Sequence, residues 1–501
     1  MNDSDTADYL VVGAGSAGSI VASRLAAAGA DVVLLEAGGT DRRPDVRIPA
    51  GVVALYMTAN WKHRCAPDQT KGGAVDRFAG GRIVGGSGSI NAMVYVRGRA
   101  GDYDGWAESG AAGWSYDDVL PHFKAIESWV DGADEYRGGA GPIPVSWCGH
   151  RHQIDEAFIE AAVQAGHERN PDQNGRTQVG VSRTQFNQRR GLRVSSARGY
   201  LRSAPRDRRP RLLTRTTVSR LLVENGRAVG VECRGRRIRA RHEVILCAGA
   251  IGSPALLLKS GIGPSGTTLN LPGVGANFQD HLVAGQVWES KVPTPNTLGP
   301  IGALQGVGSL LARGDGLLTL SPFEAQIFTD DFQIAVGPMH YELNSATGRT
   351  GIERVNGFTV YTVLMHPRGR GHVRLRSGAP LVEFERLGDD DDVERLLKGT
   401  GQAREIVEGT PAMRAVAGAH RTRGEQDRSW LAGRETSIYH AVGTCRMGVD
   451  DTAVVDPELR VHGVAGLRVI DASVMPTLTS GNTNAPTMMI AHRGADLVLS
   501  D

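Results

Sequence analysis

The sequence predicts an α/β protein of two intertwined domains, a Rossmann-like half and an antiparallel-sheet α+β half inserted into it. Three observations carry this prediction. Residues 9–12 (YLVV) are an apolar run of strand length that breaks into Gly13, Gly15 and Gly18, a G-x-G-x-x-G turn, and 19–28 reads as a helix. A second strand-glycine-helix unit lies far down the chain at 242–263. Between about 283 and 431 the pattern changes to long alternations of apolar and polar residues, the mark of antiparallel strands.

Each glycine of the first turn has a task. Gly13 permits the tight turn, Gly15 lets a diphosphate approach the backbone beside Ser16 and Ala17, and Gly18 lets the helix pack on the strand. The helix start offers N–H groups to an anion. The next strand, 31–36, ends in Glu36, followed by Ala37, and a carboxylate there accepts hydrogen bonds from ribose hydroxyls. A lone glycine motif is weak evidence in a chain with 66 glycines, but this one has the strand, the helix and the acid in place. The stretch specifies an ADP-containing dinucleotide and leaves FAD and NAD both open.

Bulk properties exclude several classes. The 501 residues exceed one ordinary core, which favours two domains. With 56 basic against 54 acidic residues the net charge is only +2, so nucleic acid is not expected as a partner. Five cysteines are scattered without a C-x-x-C pair, which argues against a zinc site or a disulfide framework and suits a cytoplasmic, reducing location. The polar start, 1–8, does not read as a signal peptide, and no apolar run is long enough for a membrane span. Neither H-E-x-x-H nor G-x-S-x-G occurs, which counts against a metalloprotease and a serine hydrolase.

Residues 81–98 (GRIVGGSGSINAMVYVRG) bring many small residues together, as where backbone approaches a ligand. With the first turn, this block resembles the first signature of the glucose-methanol-choline (GMC) flavoprotein oxidoreductases. The resemblance spans about 7–286 and 430–498. It implies FAD as cofactor, with Arg82, Gly85, Gly86, Ser87, Asn91, Ala92, Met93 and Val94 along it. Some members attach the flavin covalently through a histidine just before the position of Asn91. Ile90 stands there and has no nucleophile, so non-covalent FAD is expected.

Further on, 117–127 reads as a short amphipathic helix, and 154–165 as a helix with Ile154, Phe158 and Val163 on one face. The basic run 189–204 reads as a solvated loop. Residues 217–223 and 228–233 flank Asn225-Gly226, a hairpin with a two-residue type I′ turn, and a third strand follows at 236–240. The resemblance places Val218 at the adenine. The unit 242–263 resembles the family's second signature, which adds Ala248 and Gly249 to the cofactor site and favours FAD over NAD. The acids 389–392 precede a helical pattern and read as its N-terminal cluster, not as a metal site.

Toward the C-terminus, 440–448 (HAVGTCRMG) resembles the family's H-x-x-G-T-x-R-M-G run, in which the histidine faces the flavin. The resemblance makes His440 the general base and Asn484, 44 positions on, the second catalytic residue. It also assigns Asp471, Ala472, Asn482 and Thr483 to the cofactor, and reads His281 as structural support. The expected domains are 1–150, 190–285 and 430–501 for FAD, and 151–189 and 286–429 for substrate. The expected activity is oxidation of an alcohol by hydride transfer to flavin N5, with O2 or another acceptor taking the electrons. The alternative is an FAD-retaining lyase of the same family, cleaving a cyanohydrin or decarboxylating.

Overall fold

A computed structural model describes residues 6–297, 300–344, 349–352 and 355–501. Strands Thr6–Val12 and Val32–Leu35 pair in parallel, joined by helix Gly18–Ala27. A parallel pair needs such a crossover, and the helix buries eight of its ten residues against the sheet. Arg211–Leu213 extends the sheet on one side. On the other side runs Arg236–Leu246, which the sequence divides into two strands and the fold makes one. Its first half pairs antiparallel with Arg227–Cys233, completing the hairpin with Val218–Glu224. Its second half pairs parallel with Thr6–Val12 and with Leu467–Val469. Asn225 and Gly226 both have positive φ (50° and 74°), as a type I′ turn demands.

A second, antiparallel sheet runs Ala417–His420, Leu282–Ser290, Gly357–Leu364, Phe332–Gly337, Ala325–Phe328, Gly180–Arg183, with Glu435–Ser437 also paired to Leu282–Ser290. Leu282, Ile327, Ile334 and Val360 turn one face toward helices Gln153–Gln164 and Asp390–Gly409 and form a common core with Ile154, Phe158 and Leu396. The opposite face carries Gln326, Gln333 and Val283. Alternation of this kind normally leaves one face wet. Here Phe332–Gly337 and Gly357–Leu364 are buried at every residue, because Leu320, Phe323, Met339, Tyr341 and Ile438 pack over Tyr361 and Val363 on the other side.

Three local expectations are corrected. Strands His372–Arg376 and Ala379–Glu383 leave the antiparallel sheet and join His63–Asp68 and Ala74–Phe78 in a separate four-stranded sheet. Val163 is exposed, since five residues past Phe158 is about 140° round a helix, and Ala161 and Ala162 take the buried face instead. The run 189–204 is solvated only in part, with Arg189, Arg190 and Arg198 exposed. Arg193 is buried, its Nη1 donating to Asn91 Oδ1 (2.7 Å) and its Nε to Val46 O (2.9 Å). The acids behave as expected: Asp389 caps helix Asp390–Gly409 by accepting from Asp392 N–H. Among the described residues, no helix is long and apolar enough to cross a membrane.

Candidate active site

Three backbone turns meet at one wall of a cavity of about 600 Å³. A Cβ on Gly13 would lie 2.5 Å from Cys247 O, and one on Gly86 would lie 2.7 Å from Gly15 Cα. Only glycine allows turns 13–18, 85–88 and 247–249 to touch in this way. Gly85 adds an N–H bond to Ala14 O (2.6 Å). Glu36 is buried, accepting from Ala14 N–H at Oε2 (3.0 Å) and Gly38 N–H at Oε1 (2.7 Å). Burial raises its carboxyl to about 7, against those two donors and nearby Arg82. Asp471 accepts four hydrogen bonds, from Gly249 N–H, the Ser253 hydroxyl, Ser473 N–H and the Ser473 hydroxyl. It thereby locks the end of strand Leu467–Val469 onto the start of helix Gly249–Lys259, and burial raises its carboxyl.

Gly13, Gly15, Ser16, Ala17, Glu36, Ala37, Gly86, Ser87, Asn91, Ala92, Met93, Val94, Val218, Ala248, Gly249, Asp471, Ala472, Asn482, Thr483, Asn484 and His440 all line this one cavity. Gly18, Gly85 and Arg82 stand behind it. A Cβ on Gly18 would overlap Gly13 O at 1.9 Å, and the Arg82 guanidinium lies 4.7 Å from the Trp61 ring centroid. The sequence reading did not find Tyr56, Trp61, Phe323, Tyr341, Ile438 or Tyr439, which line the same space. They sit outside any glycine motif and carry no spacing signal. Lining of this kind, mostly apolar with a few convergent polar groups, is that of a cofactor site. Backbone turns for a diphosphate, a carboxylate placed for a ribose and room for a ring system fit FAD.

His440 is placed by its own loop. Tyr439 takes a left-handed φ of 64°, and its N–H donates to Ser437 Oγ (2.8 Å). The Asp280 carboxylate accepts the His440 backbone N–H (2.8 Å) and the Ser437 hydroxyl (2.5 Å). Asp280 is buried and faces Arg386 (3.3 Å), which also faces Glu435 (3.4 Å). A non-glycine residue in the left-handed region costs roughly 1–3 kcal/mol and needs such support.

The His440 ring is fixed in one tautomer. His281 Nε2 lies 3.2 Å from Thr479 O, a carbonyl that only accepts, so His281 carries its proton on Nε2. Its Nδ1 is then an acceptor, and His440 Nδ1, 2.9 Å away, must be the donor. That makes His440 Nε2 the acceptor on the cavity side, 3.2 Å from Asn482 Nδ2. Burial pushes the His440 imidazole down to about 3 and keeps it neutral.

The residue beside that lone pair is Asn482, not Asn484 as the spacing suggested. Asn484 is the first residue of helix Asn484–Ser500, and its Oδ1 accepts from Ser16 Oγ–H (2.7 Å) in the first glycine turn. The two asparagines flank Thr483 and point to different partners because the helix begins between them.

A dinucleotide cradle opening onto a neutral, oriented imidazole fits a flavin-dependent oxidoreductase. The family is explicit in the comparisons: GMC oxidoreductase models match residues 7–283 and 367–491, and the chain belongs to the GMC oxidoreductases. It is an FAD-dependent alcohol oxidoreductase. It is 38% identical to an oxygen-dependent choline dehydrogenase of Vibrio vulnificus, over 98% of this chain and 94% of that one. It is 36% identical to an uncharacterized GMC-type oxidoreductase of Mycobacterium bovis, over 98% and 99%. Among solved structures, pyridoxine 4-oxidase from Mesorbium loti superposes with a TM-score of 0.87 at 28% identity, covering 99% of both chains.

The cradle makes one prediction directly. Glutamine at position 36 offers one acceptor oxygen where Ala14 and Gly38 need two, so Glu36→Gln should cost about 1–3 kcal/mol and loosen FAD. Thermal unfolding and FAD retained after gel filtration measure it. Unchanged melting with full retention would show that the two N–H bonds do not matter.

Proposed function

We propose that the protein oxidises an alcohol of apolar body, with His440 as general base and Asn482 as the hydrogen-bond donor to the reacting oxygen. The observation that carries the reading is the His440 Nε2 lone pair, directed by the His281–Thr479 contact and adjoining Asn482 Nδ2. Bound FAD supplies the hydride acceptor that such an oxidation needs. His440 Nε2 takes the hydroxyl proton, and Asn482 Nδ2 donates to the same oxygen as negative charge grows on it. Phe323, Tyr341 and Ile438 hold the rest of the molecule and exclude water. The segments 1–150, 190–285 and 430–501 hold the cofactor in this reading, and 151–189 with 286–429 shape the alcohol side.

Among the described residues the cavity has only two carboxylates, Glu36 and Asp471, and both are engaged by backbone N–H groups. A cationic alcohol finds no free counter-charge there, which favours neutral aliphatic or aromatic alcohols over a quaternary ammonium. O2 is the electron acceptor that the relatives' names favour.

The test is anaerobic mixing of the yellow enzyme with neutral, aromatic and cationic alcohols, followed by admission of air. Neutral alcohols should bleach the flavin and air should restore its colour. A flavin that stays oxidised with every alcohol, alongside carbonyl release from a cyanohydrin, would replace this reading with the lyase.

A pH profile adds a second check. Protonation removes the base, so the rate falls as pH drops through the pKa of His440. Since burial holds that pKa near 3, the acid limb of flavin reduction should lie below the ordinary histidine value of about 6.5. A limb at or above 6.5 would assign the titration to another group.

A further inference from the structure

A chain of buried amides leads from the antiparallel sheet to the reactive imidazole, and its direction is readable. Gln173 Nε2 faces two backbone carbonyls, Gly180 O (3.0 Å) and Gln326 O (3.3 Å). Carbonyls only accept, so this end of Gln173 is its NH2 and the other end its oxygen. That oxygen accepts from Gln326 Nε2 (3.0 Å), and Gln326 Oε1 in turn accepts from Gln333 Nε2 (2.8 Å). The second N–H of Gln333 reaches Asn482 Oδ1 (3.5 Å). Asn482 must therefore present Nδ2 to His440 Nε2, where it stands at 3.2 Å.

All three glutamines are buried. Gln333 and Gln326 lie on one face of paired strands in diagonal register, since Gln333 is opposite Phe328 and Gln326 opposite Ala335. An apolar pair there would satisfy the sheet equally well and leave no buried polar atoms to match. The Thr479–His281 contact and the Gly180–Gln173 contact start from different parts of the chain, yet both require the proton of His440 on Nδ1 and its lone pair on Nε2.

We propose that Gln333 is a positioning residue for the oxidation: it holds the Asn482 amide with its N–H toward the base, and so keeps His440 Nε2 unprotonated until substrate arrives. This rests on the reading of His440 as the base. Without Gln333, Asn482 is free to turn its oxygen toward Nε2, and an oxygen there stabilises the protonated imidazolium. The titratable groups around His440 are His281, with His366 behind it, and Asp280, which holds the backbone N–H. None of them is altered by a change at 333.

The experiment compares flavin-loaded wild type, Gln333→Leu, Gln333→Glu and His440→Ala by anaerobic stopped-flow with one active alcohol across pH. Gln333→Leu should slow flavin reduction by about 10- to 100-fold, with the half-saturating alcohol concentration and flavin content unchanged. Gln333→Glu, whose carboxylate accepts where the amide donates, should move the acid limb upward by about one pH unit or more. If both variants reduce at the wild-type rate with the wild-type limb while His440→Ala is inactive, the amide chain does not position the site and the inference falls alone. If His440→Ala itself reduces at the wild-type rate, the base assignment falls and the inference falls with it. Should Gln333→Leu fail to load flavin, the pH limb of Gln333→Glu decides.

Discussion

His440→Ala should reduce the rate of flavin reduction by the alcohol by about 10²- to 10⁴-fold, the usual contribution of a positioned acid–base group, with FAD still bound. The cofactor should stay because its cradle is built elsewhere, from backbone turns at 13–18, 85–88 and 247–249. The rate should fall because among the described residues no second base takes the place of Nε2. His281 does not, since it stands behind the His440 ring and does not line the cavity. Removing the ring also leaves His281 Nδ1 and the Asn482 amide without their partner. Flavin absorbance and stopped-flow bleaching measure the two halves of the prediction separately. Undiminished bleaching in the variant would end the case for His440.

Asp280→Ala should cost about 3–5 kcal/mol of stability and slow the enzyme as well. One buried carboxylate holds the backbone N–H of His440, the hydroxyl of Ser437 and the guanidinium of Arg386. Deleting it orphans two buried donors and removes one counter-ion from Arg386, whose remaining acids are Glu435 and Asp76. The loop carrying Tyr439 in its left-handed conformation then loses its brace. Thermal unfolding of the holoenzyme checks the first part. Asp280→Asn, which keeps shape but not charge, should fall between the two. Equal melting of Asp280→Ala and wild type would mean that the network is strain-free without its carboxylate.

The dinucleotide half was legible because its constraints are local. A turn that needs positive φ must be glycine, an acid-ended strand must follow at crossover distance, and Asn-Gly sets a two-residue hairpin. The substrate side was legible only as a pattern of alternation. Gln333 sits between Phe332 and Ile334, where a polar residue reads as facing water. It faces Gln326 and Asn482 instead, and a sequence does not show that a sheet is covered twice. The choice between Asn482 and Asn484 failed for a related reason. Both lie in one loop, and which of them meets the imidazole depends on where the helix starts and how Gly481, at φ 123°, turns the chain before it. Arg193 was misread because a buried guanidinium is found by its partners, Asn91 and Val46, which lie over a hundred residues away.

The strand Arg236–Leu246 links the hairpin on one side to the parallel strands on the other, and its last neighbour, Leu467–Val469, arrives only near the end of the chain. During synthesis the early strands must therefore wait, with one edge bare, through more than two hundred residues of later polypeptide. Pairings so distant in sequence close slowly, and an uncovered edge invites association with other nascent chains. Ribosome-bound or truncated chains ending before this last strand should aggregate readily and remain colourless, while the finished polypeptide acquires its pigment late.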